Sequence, residues 1–283
     1  SAGRVASGGE IWLTDAVSYK FVLQTSAAVT IATYDNVTGN SSGIYAAFAA
    51  SSGSSLVGYT QGGTGAVATT VQAKLRQTVS VKDFGAVGDG TTNDSAAFLA
   101  AITAADCVTV PIGNYLIATE IVIPAANKSI IGQGGTIVKS YTLGAGGVFS
   151  ATSKNNLTFD GLKFAVSTST SHNASGFFIS LDICHFAIIR NNSFDGAIPG
   201  TSVNRESLFS AVYTPSCNDL IIQGNQFLYV YGNCCGANDG AGTGVNGKNV
   251  TIANNVFFNS LDTGVGCYTN CQNVTITGNV FDR

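Results

Sequence analysis

The feature that most constrains this chain is a nine-residue pattern that recurs through its second half. In its last occurrence, Asn273-Val274-Thr275-Ile276-Thr277-Gly278-Asn279-Val280-Phe281, aliphatic residues stand seven and five places before Phe281, and Gly-Asn stands three and two places before it. Phe257 repeats this with Val250, Ile252, Asn254 and Asn255, and Phe227 with Leu220, Ile222, Gly224 and Asn225. Phe194 follows with Ala187, Ile189, Asn191 and Asn192, and Phe164 with Leu157, Phe159, Gly161 and Leu162. The phenylalanines lie 30, 33, 30 and 24 residues apart, which is the period of a supersecondary unit with connections of variable length. Apolar residues at alternate positions have the period of a strand, and Gly or Asn then supplies a corner. A unit built this way cannot bury its own face, so copies stack and each strand pairs in parallel with its equivalents above and below. The pattern therefore predicts an all-β chain, a parallel β-helix. Cys184, Cys217 and Cys271 each stand ten residues before their Phe and are expected to share one column.

Composition supports this and excludes several classes. Charged residues make up 10% of the 283, against a usual ~25%, and 34 glycines suit many tight corners. With a net charge of −3 and no Lys/Arg cluster, the chain lacks the phosphate-neutralising surface of a nucleic-acid binder. No apolar run approaches the ~18 residues of a membrane span, and Ser1-Ala2-Gly3-Arg4 does not open a signal peptide. Seven cysteines, two of them adjacent at Cys234-Cys235, read as reduced, buried thiols of a protein assembled in a cytoplasm. Cys267 and Cys271 lack the spacing and the neighbouring His of a zinc site, so no metal or other cofactor is expected. Asn156, Asn249 and Asn273 begin Asn-x-Thr triplets, but each stands eight places before its Phe, so the triplet belongs to the repeat. A solenoid ending at Phe281 would leave an apolar rung open. This predicts that the chain is an internal portion of a longer polypeptide.

In chain order, Glu10–Thr14, Tyr19–Gln24 and Val29–Tyr34 alternate as three short strands, a small β-module over residues 1–40. Residues 41–80 are rich in Ser, Gly, Ala and Thr and read as a flexible linker or stem, with a short helix at Val71–Gln77. The alanine pairs of IYAAFAA equally suit an interchain contact. Residues 81–126 form an entry segment: Gly85, Gly88 and Gly90 permit turns, Asn93 or Asp94 caps, and Ser95–Ala105 places Phe98, Leu99 and Ile102 at helical spacing. Residues 127–283 are rungs. Asp89–Asp94 lacks the spacing and the terminal Glu of a calcium loop and reads as a turn.

Two stretches carry a family resemblance. Val81–Ile102, VKDFGAVGDGTTNDSAAFLAAI, resembles the entry segment of the pectate-lyase-like superfamily as it occurs in phage tailspikes. The first 37 residues resemble the end of the particle-binding region of phage tail fibre and tailspike proteins. The resemblance implies a right-handed, pectin-lyase-like parallel β-helix with a short capping helix. It also implies a homotrimeric virion component whose N-terminal module engages other phage tail or adaptor proteins. Its solenoid would bind, and cut, bacterial capsule or lipopolysaccharide. The patterns of polygalacturonases and of calcium-dependent pectate lyases are missing; Asn238-Asp239-Gly240 is a faint echo of the former.

Glycosidic cleavage needs two carboxyls, ~5–5.5 Å apart for retention and ~6.5–9.5 Å for inversion. Glu206 and Asp239 each stand twelve residues after a repeat Phe and would be stacked neighbours in a regular coil. At ~5 Å and an effective dielectric of ~20 they would repel by roughly 3 kcal/mol, which raises one pKa towards the general-acid range. Asp262 and Asp182 are reserves, while Tyr229 and Tyr231 are candidates for stacking on sugar rings. His172 and His185 read as loop and wall residues. The expected function is that of a tailspike depolymerase. The alternatives are a non-catalytic adhesin or tail scaffold of the same fold, or a polysaccharide lyase.

Overall fold

Each occurrence of the repeat bends at the same backbone position. The residue three places before each Phe, namely Gly161, Asn191, Gly224, Asn254 and Gly278, has a left-handed φ between 54° and 68°. Only Gly and, among side-chain-bearing residues, chiefly Asn adopt this region readily, which is why the sequence alternates between them. The bend separates two strands that belong to different sheets.

We describe the computed structural model over residues 18–38, 42–140, 146–167, 176–196, 210–230, 233–237, 247–259, 264–267 and 271–282. The chain separates into two compact units, Ser1–Gln77 and Thr78–Arg283. The second is built from three parallel sheets of eight, eight and six strands. Sheet 1 stacks strands that precede the bend, such as Thr158–Asp160, Ile188–Arg190 and Leu220–Gln223. Sheet 2 stacks those that follow it, such as Lys163–Val166, Ser193–Asp195 and Gln226–Leu228. Sheet 3 stacks the strands reached after each longer connection, including Gly147–Thr152, Phe177–Asp182 and Ser210–Tyr213. Every strand of the second unit pairs in parallel with its equivalent one coil away, the arrangement of a parallel β-helix.

The register is that of the repeat: Phe164 pairs with Phe194, Phe194 with Phe227, Phe227 with Phe257 and Phe257 with Phe281. Their rings stack at 5.0, 5.1, 4.9 and 4.7 Å, within 12° of parallel; Phe164, Phe194, Phe227 and Phe257 form the spine of the core, and Phe281 is exposed. Such contacts add roughly 0.5–1.5 kcal/mol each beyond burial. Cys184 and Cys217 are buried side by side as expected; the neighbouring Cys184 thiol and burial together push the Cys217 thiol far up, so it stays protonated. Cys271 is half-buried and packs against the same core.

The residue after the bend forms the principal buried polar element. Asn192, Asn225 and Asn255 are buried, and the Asn225 Oδ1 accepts both the Asn192 backbone N–H at 2.9 Å and its side-chain amide at 3.0 Å. The Asn225 amide in turn donates to Ile189 O and to Asn255 Oδ1, and Asn255 treats Asn279 likewise. A second column runs through Asn127, Asn156, Asp219, Asn249 and Asn273, all at left-handed φ. There Asn156, Asn249 and Asn273 donate to Asn127, Asp219 and Asn249 respectively, so the Asn of each Asn-x-Thr triplet serves the coil. His185 occupies a third column: its N–H reaches Asn155 Oδ1 and its Nδ1 accepts the Asn218 N–H at 3.1 Å, which leaves the ring proton on Nε2.

Helix Ser95–Ala104 buries Phe98, Ala101 and Ile102 and sets the Phe98 ring edge-on to Tyr115 at 5.4 Å. Leu99, expected on the same face, is 40% exposed, since consecutive helical residues diverge by about 100° and Phe98 takes the inward direction. The Asn93 side-chain Oδ1 accepts the first helical N–H, from Ser95, whereas the Asp94 carboxylate accepts the N–H groups of Val87 and Gly88 and closes the glycine loop. Asp89 accepts from Thr92 and Thr91, which hold its carboxyl well below the usual range and account for the acid by turn geometry.

In the first unit, Ser18–Gln24 pairs antiparallel with Thr30–Thr38, matching the second and third expected strands. The first, Glu10–Thr14, lies outside the described residues. The Ser- and Gly-rich stretch holds helix Ser42–Ala49 and the antiparallel pair Gly58–Thr60/Ala68–Thr70. Helix Val71–Leu75 follows, capped by the Thr70 hydroxyl. Among the described residues no helix is long and apolar enough to cross a membrane.

Replacing Asn225 by Ala strands the Asn192 N–H beside the core. We expect a loss of about 2–4 kcal/mol in denaturant unfolding, well beyond the effect of the same change at exposed Asn273.

Candidate functional site

Sheets 1 and 2 are joined by a bend of two residues, so variation between coils falls elsewhere. Between sheets 2 and 3 the chain runs through residues 140–146, 167–176, 196–209, 229–232 and 259–264. Between sheets 3 and 1 it runs through 238–247 and 268–271 in the last coils. The outer surface of sheet 3 is therefore flanked by the longest connections. Ser150, Ser180 and Tyr213 occupy equivalent outward positions on successive strands, and the Tyr213 ring stacks on Phe177 at 4.7 Å.

Glu206, Asp239, Asp262 and Tyr231 lie outside the described residues. The flanking strands still define where each enters. Sheets 1 and 2 carry the 33-residue offset that aligned Glu206 with Asp239, as in Ile189↔Ile222 and Phe194↔Phe227. Sheet 3 pairs Ser210 with Asn233, an offset of 23. Glu206 thus falls in the connection before Ser210–Tyr213, and Asp239 in the connection after Asn233–Ala237.

Asp182 ends strand Phe177–Asp182, half-buried and beside Thr152; its carbonyl accepts the Ser153 N–H at 2.9 Å and the Cys184 thiol at 3.3 Å. Tyr229 turns the corner out of sheet 2 with φ 54°, its ring edge-on to Phe258 at 5.8 Å. No hydrogen bond or ring contact joins Asp182 to Tyr229. An ion pair that the repeat pattern did not single out links Asp160 to Arg190 at 2.8 Å across two rungs of sheet 1, with Asn191 donating to the same carboxylate.

Sequence reasoning also passed over Lys139, which sits at the start of the first long connection. It is only 5% exposed and donates to Gly146 O at 2.9 Å, while nearby Glu120 accepts the Gly147 N–H. Burial pushes its ammonium down to about 8, against the opposing pull of Glu120. Among the described residues no group of three or more His, Cys, Asp or Glu is placed to hold a metal ion.

Over residues 78–283 the chain matches the family described as rhamnogalacturonase A/epimerase, pectate lyase-like, and it belongs to that family. Among solved structures it resembles the tailspike protein of E. coli bacteriophage HK620, in a mutant form complexed with pentasaccharide. The identity is 13%, the TM-score 0.54, and the match covers 84% of this chain and 51% of the tailspike. It also resembles PfbA, a surface adhesin of Streptococcus pneumoniae, at 20% identity and TM-score 0.52, over 73% of this chain and 63% of the adhesin. An exopolygalacturonase from Thermotoga maritima matches at 14% identity and TM-score 0.50, over 71% of this chain and 66% of the enzyme. The chain thus spans about half of the tailspike and just under two thirds of the adhesin. No curated protein sequence matches it.

The depressed Lys139 ammonium predicts a pH dependence. The unfolded chain binds more protons than the folded one between about 8 and the ordinary lysine value, so stability rises with pH across that window. Unfolding measured from pH 7.5 to 10.5 should show wild type gaining on the order of 1–3 kcal/mol over Lys139→Met.

Proposed function

We propose that this chain is part of a phage tailspike: a virion component that binds bacterial surface polysaccharide along its β-helix and cleaves its glycosidic bonds. The observation that carries this reading is the extent of the tailspike match. The adhesin and exopolygalacturonase matches cover 73% and 71% of the chain, about the share made up by residues 78–283, whereas the tailspike match covers 84% and so continues upstream of the β-helix. The segments that precede the solenoid belong with it in a tailspike-like architecture. In this reading residues 1–40 are the attachment module towards other tail or adaptor proteins, residues 41–80 the stem, and the whole a homotrimer in the virion.

The rack itself suits the task. Rungs recur about every 4.8 Å, so outward groups one or two rungs apart stand at distances suited to both carboxylate geometries of glycoside hydrolysis. Glu206 and Asp239, which enter from opposite edges of sheet 3, are proposed to meet over its outer face as the acid pair; Asp262 and Asp182 are the reserves, with Tyr229 and Tyr231 against the sugar. The adhesin likeness supports a second reading, a binder that does not cut.

Incubation with purified capsule or lipopolysaccharide distinguishes the two. The depolymerase releases oligosaccharides, and Glu206→Gln or Asp239→Asn each lowers release at least 100-fold while glycan binding persists. Full activity in both variants overturns the acid assignment, and binding without release in wild type favours the adhesin reading. In sedimentation equilibrium the trimer predicts three times the 28.9 kDa chain mass, and a monomer at micromolar concentration removes that part of the proposal.

A further inference from the structure

Two corner positions between sheets 3 and 1 adopt left-handed φ on successive rungs. The first is held by Ser153, Ile183 and Ser216, with φ of 55°, 52° and 59°. The second is held by Asn127, Asn156, Phe186, Asp219, Asn249 and Asn273, with φ between 53° and 61°. Ser, Asn and Asp are small, and the last two enter this region more readily than other side-chain-bearing residues. A β-branched Ile and a bulky Phe are outliers there. Both outliers fall on one rung, and neither is compensated by burial: Ile183 is 38% and Phe186 56% exposed.

Phe186 also interrupts a ladder. Below it Asn156 donates to Asn127, and above it Asn249 donates to Asp219, but this column makes no side-chain bond at the Phe186 rung, where the neighbouring His185 column does. Asn156 Oδ1 and Asp219 Oδ2 are left without protein partners among the described residues, one on each side of the ring. The backbone at this point is pinned, since the Phe186 N–H reaches Asn218 O at 3.1 Å and the Asn156 N–H reaches His185 O at 2.9 Å. Nothing in folding requires a strained, exposed aromatic between two unpaired acceptors, and strain retained at the surface is a signature of binding.

We infer that this rung is a glycan subsite in which Phe186 stacks on the apolar face of a neutral pyranose and Ile183 extends the contact. Asn156 and Asp219 accept hydrogen bonds from its hydroxyls. Successive rungs are about 4.8 Å apart, which places an acceptor on either side of a sugar lying over the ring. Asn156 Oδ1 and Asp219 Oδ2 are acceptors and the second is anionic, so beside them a hydroxyl donor fits better than a carboxylate or phosphate. The subsite rests on the polysaccharide-binding reading above and adds its location and the charge class of the sugar.

The test is an array of bacterial surface polysaccharides, neutral and uronate-containing, probed with the full chain and with Phe186→Asn. Asn is the ordinary occupant of this column, so the variant should melt at a higher temperature than wild type while its Kd for a neutral glycan weakens at least tenfold. Phe186→Trp should keep the affinity. Undiminished binding of neutral glycans by Phe186→Asn overturns the subsite but leaves the polysaccharide reading intact, as does wild-type binding confined to uronate-containing glycans. Failure of wild type to bind any glycan overturns both. A variant that loses self-association while its glycan binding is unchanged makes the ring a contact between copies of the chain and overturns the subsite.

Discussion

The hydrogen bond from a backbone N–H to the side-chain oxygen of an asparagine one coil away is the constraint on which this molecule depends. At the bend between sheets 1 and 2 ladder bonding is interrupted beside the core, where an unpaired amide costs about 1–3 kcal/mol. Asn192, Asn225, Asn255 and Asn279 meet that cost with one side chain per coil, accepting an N–H with the oxygen and returning the amide to a carbonyl on the lower coil. Because the amide is planar and uses both ends, it fixes the height and the rotation of each coil relative to its neighbour. The phenylalanine stack two residues later inherits that register, which is why its rings lie within 12° of parallel over four steps.

The same constraint explains how much of the fold was legible in the sequence. A position that must be Gly or Asn for its φ, followed by one that must be Asn for its ladder, leaves a written trace, and sheets 1 and 2 could be read from it with their pairing partners. Sheet 3 left no such trace. Its strands lie beyond connections free to vary, so Ser210 pairs with Asn233 at a 23-residue offset while Phe194 pairs with Phe227 at 33. Counting from Phe therefore carries an alignment through the bend and stops being valid past the next connection, where Glu206 and Asp239 reside. The acids were legible as residues suited to the chemistry; their mutual geometry was not, because no local rule sets the length of a surface connection.

Periodicity gives the direction of Lys139 but not its partners. Two residues after buried Ile137, it points inward by the period of a strand, pairs with buried Ile117 and Val166 on the neighbouring rungs, and donates to Gly146 O. Its low proton affinity follows from that burial. His185 likewise reads as an isolated histidine, and only the stacking of Asn155 below and Asn218 above makes its ring a link in a side-chain ladder. In a solenoid the environment of a residue is set by residues about 30 positions away, so single-residue signals carry little until the register is known.

A β-helix separates the residues that hold it together from those free to act. The inward columns and the left-handed corners are constrained in every coil, so departures from their usual occupants are informative in a way that outward residues are not. An exposed Tyr on an outer strand is compatible with any surface; an exposed Phe at φ 58°, in a column otherwise held by Asn and Asp, is not explained by folding. Tyr229, at φ 54° where the equivalent residues of adjacent coils are Gly196 and Asn259, departs in the same sense at the opposite edge of sheet 3. Both departures border the connections of sheet 3, the one sheet whose spacing the repeat does not fix. The freedom that made this region illegible in the sequence is also what lets a rigid stack present different chemistry from one rung to the next.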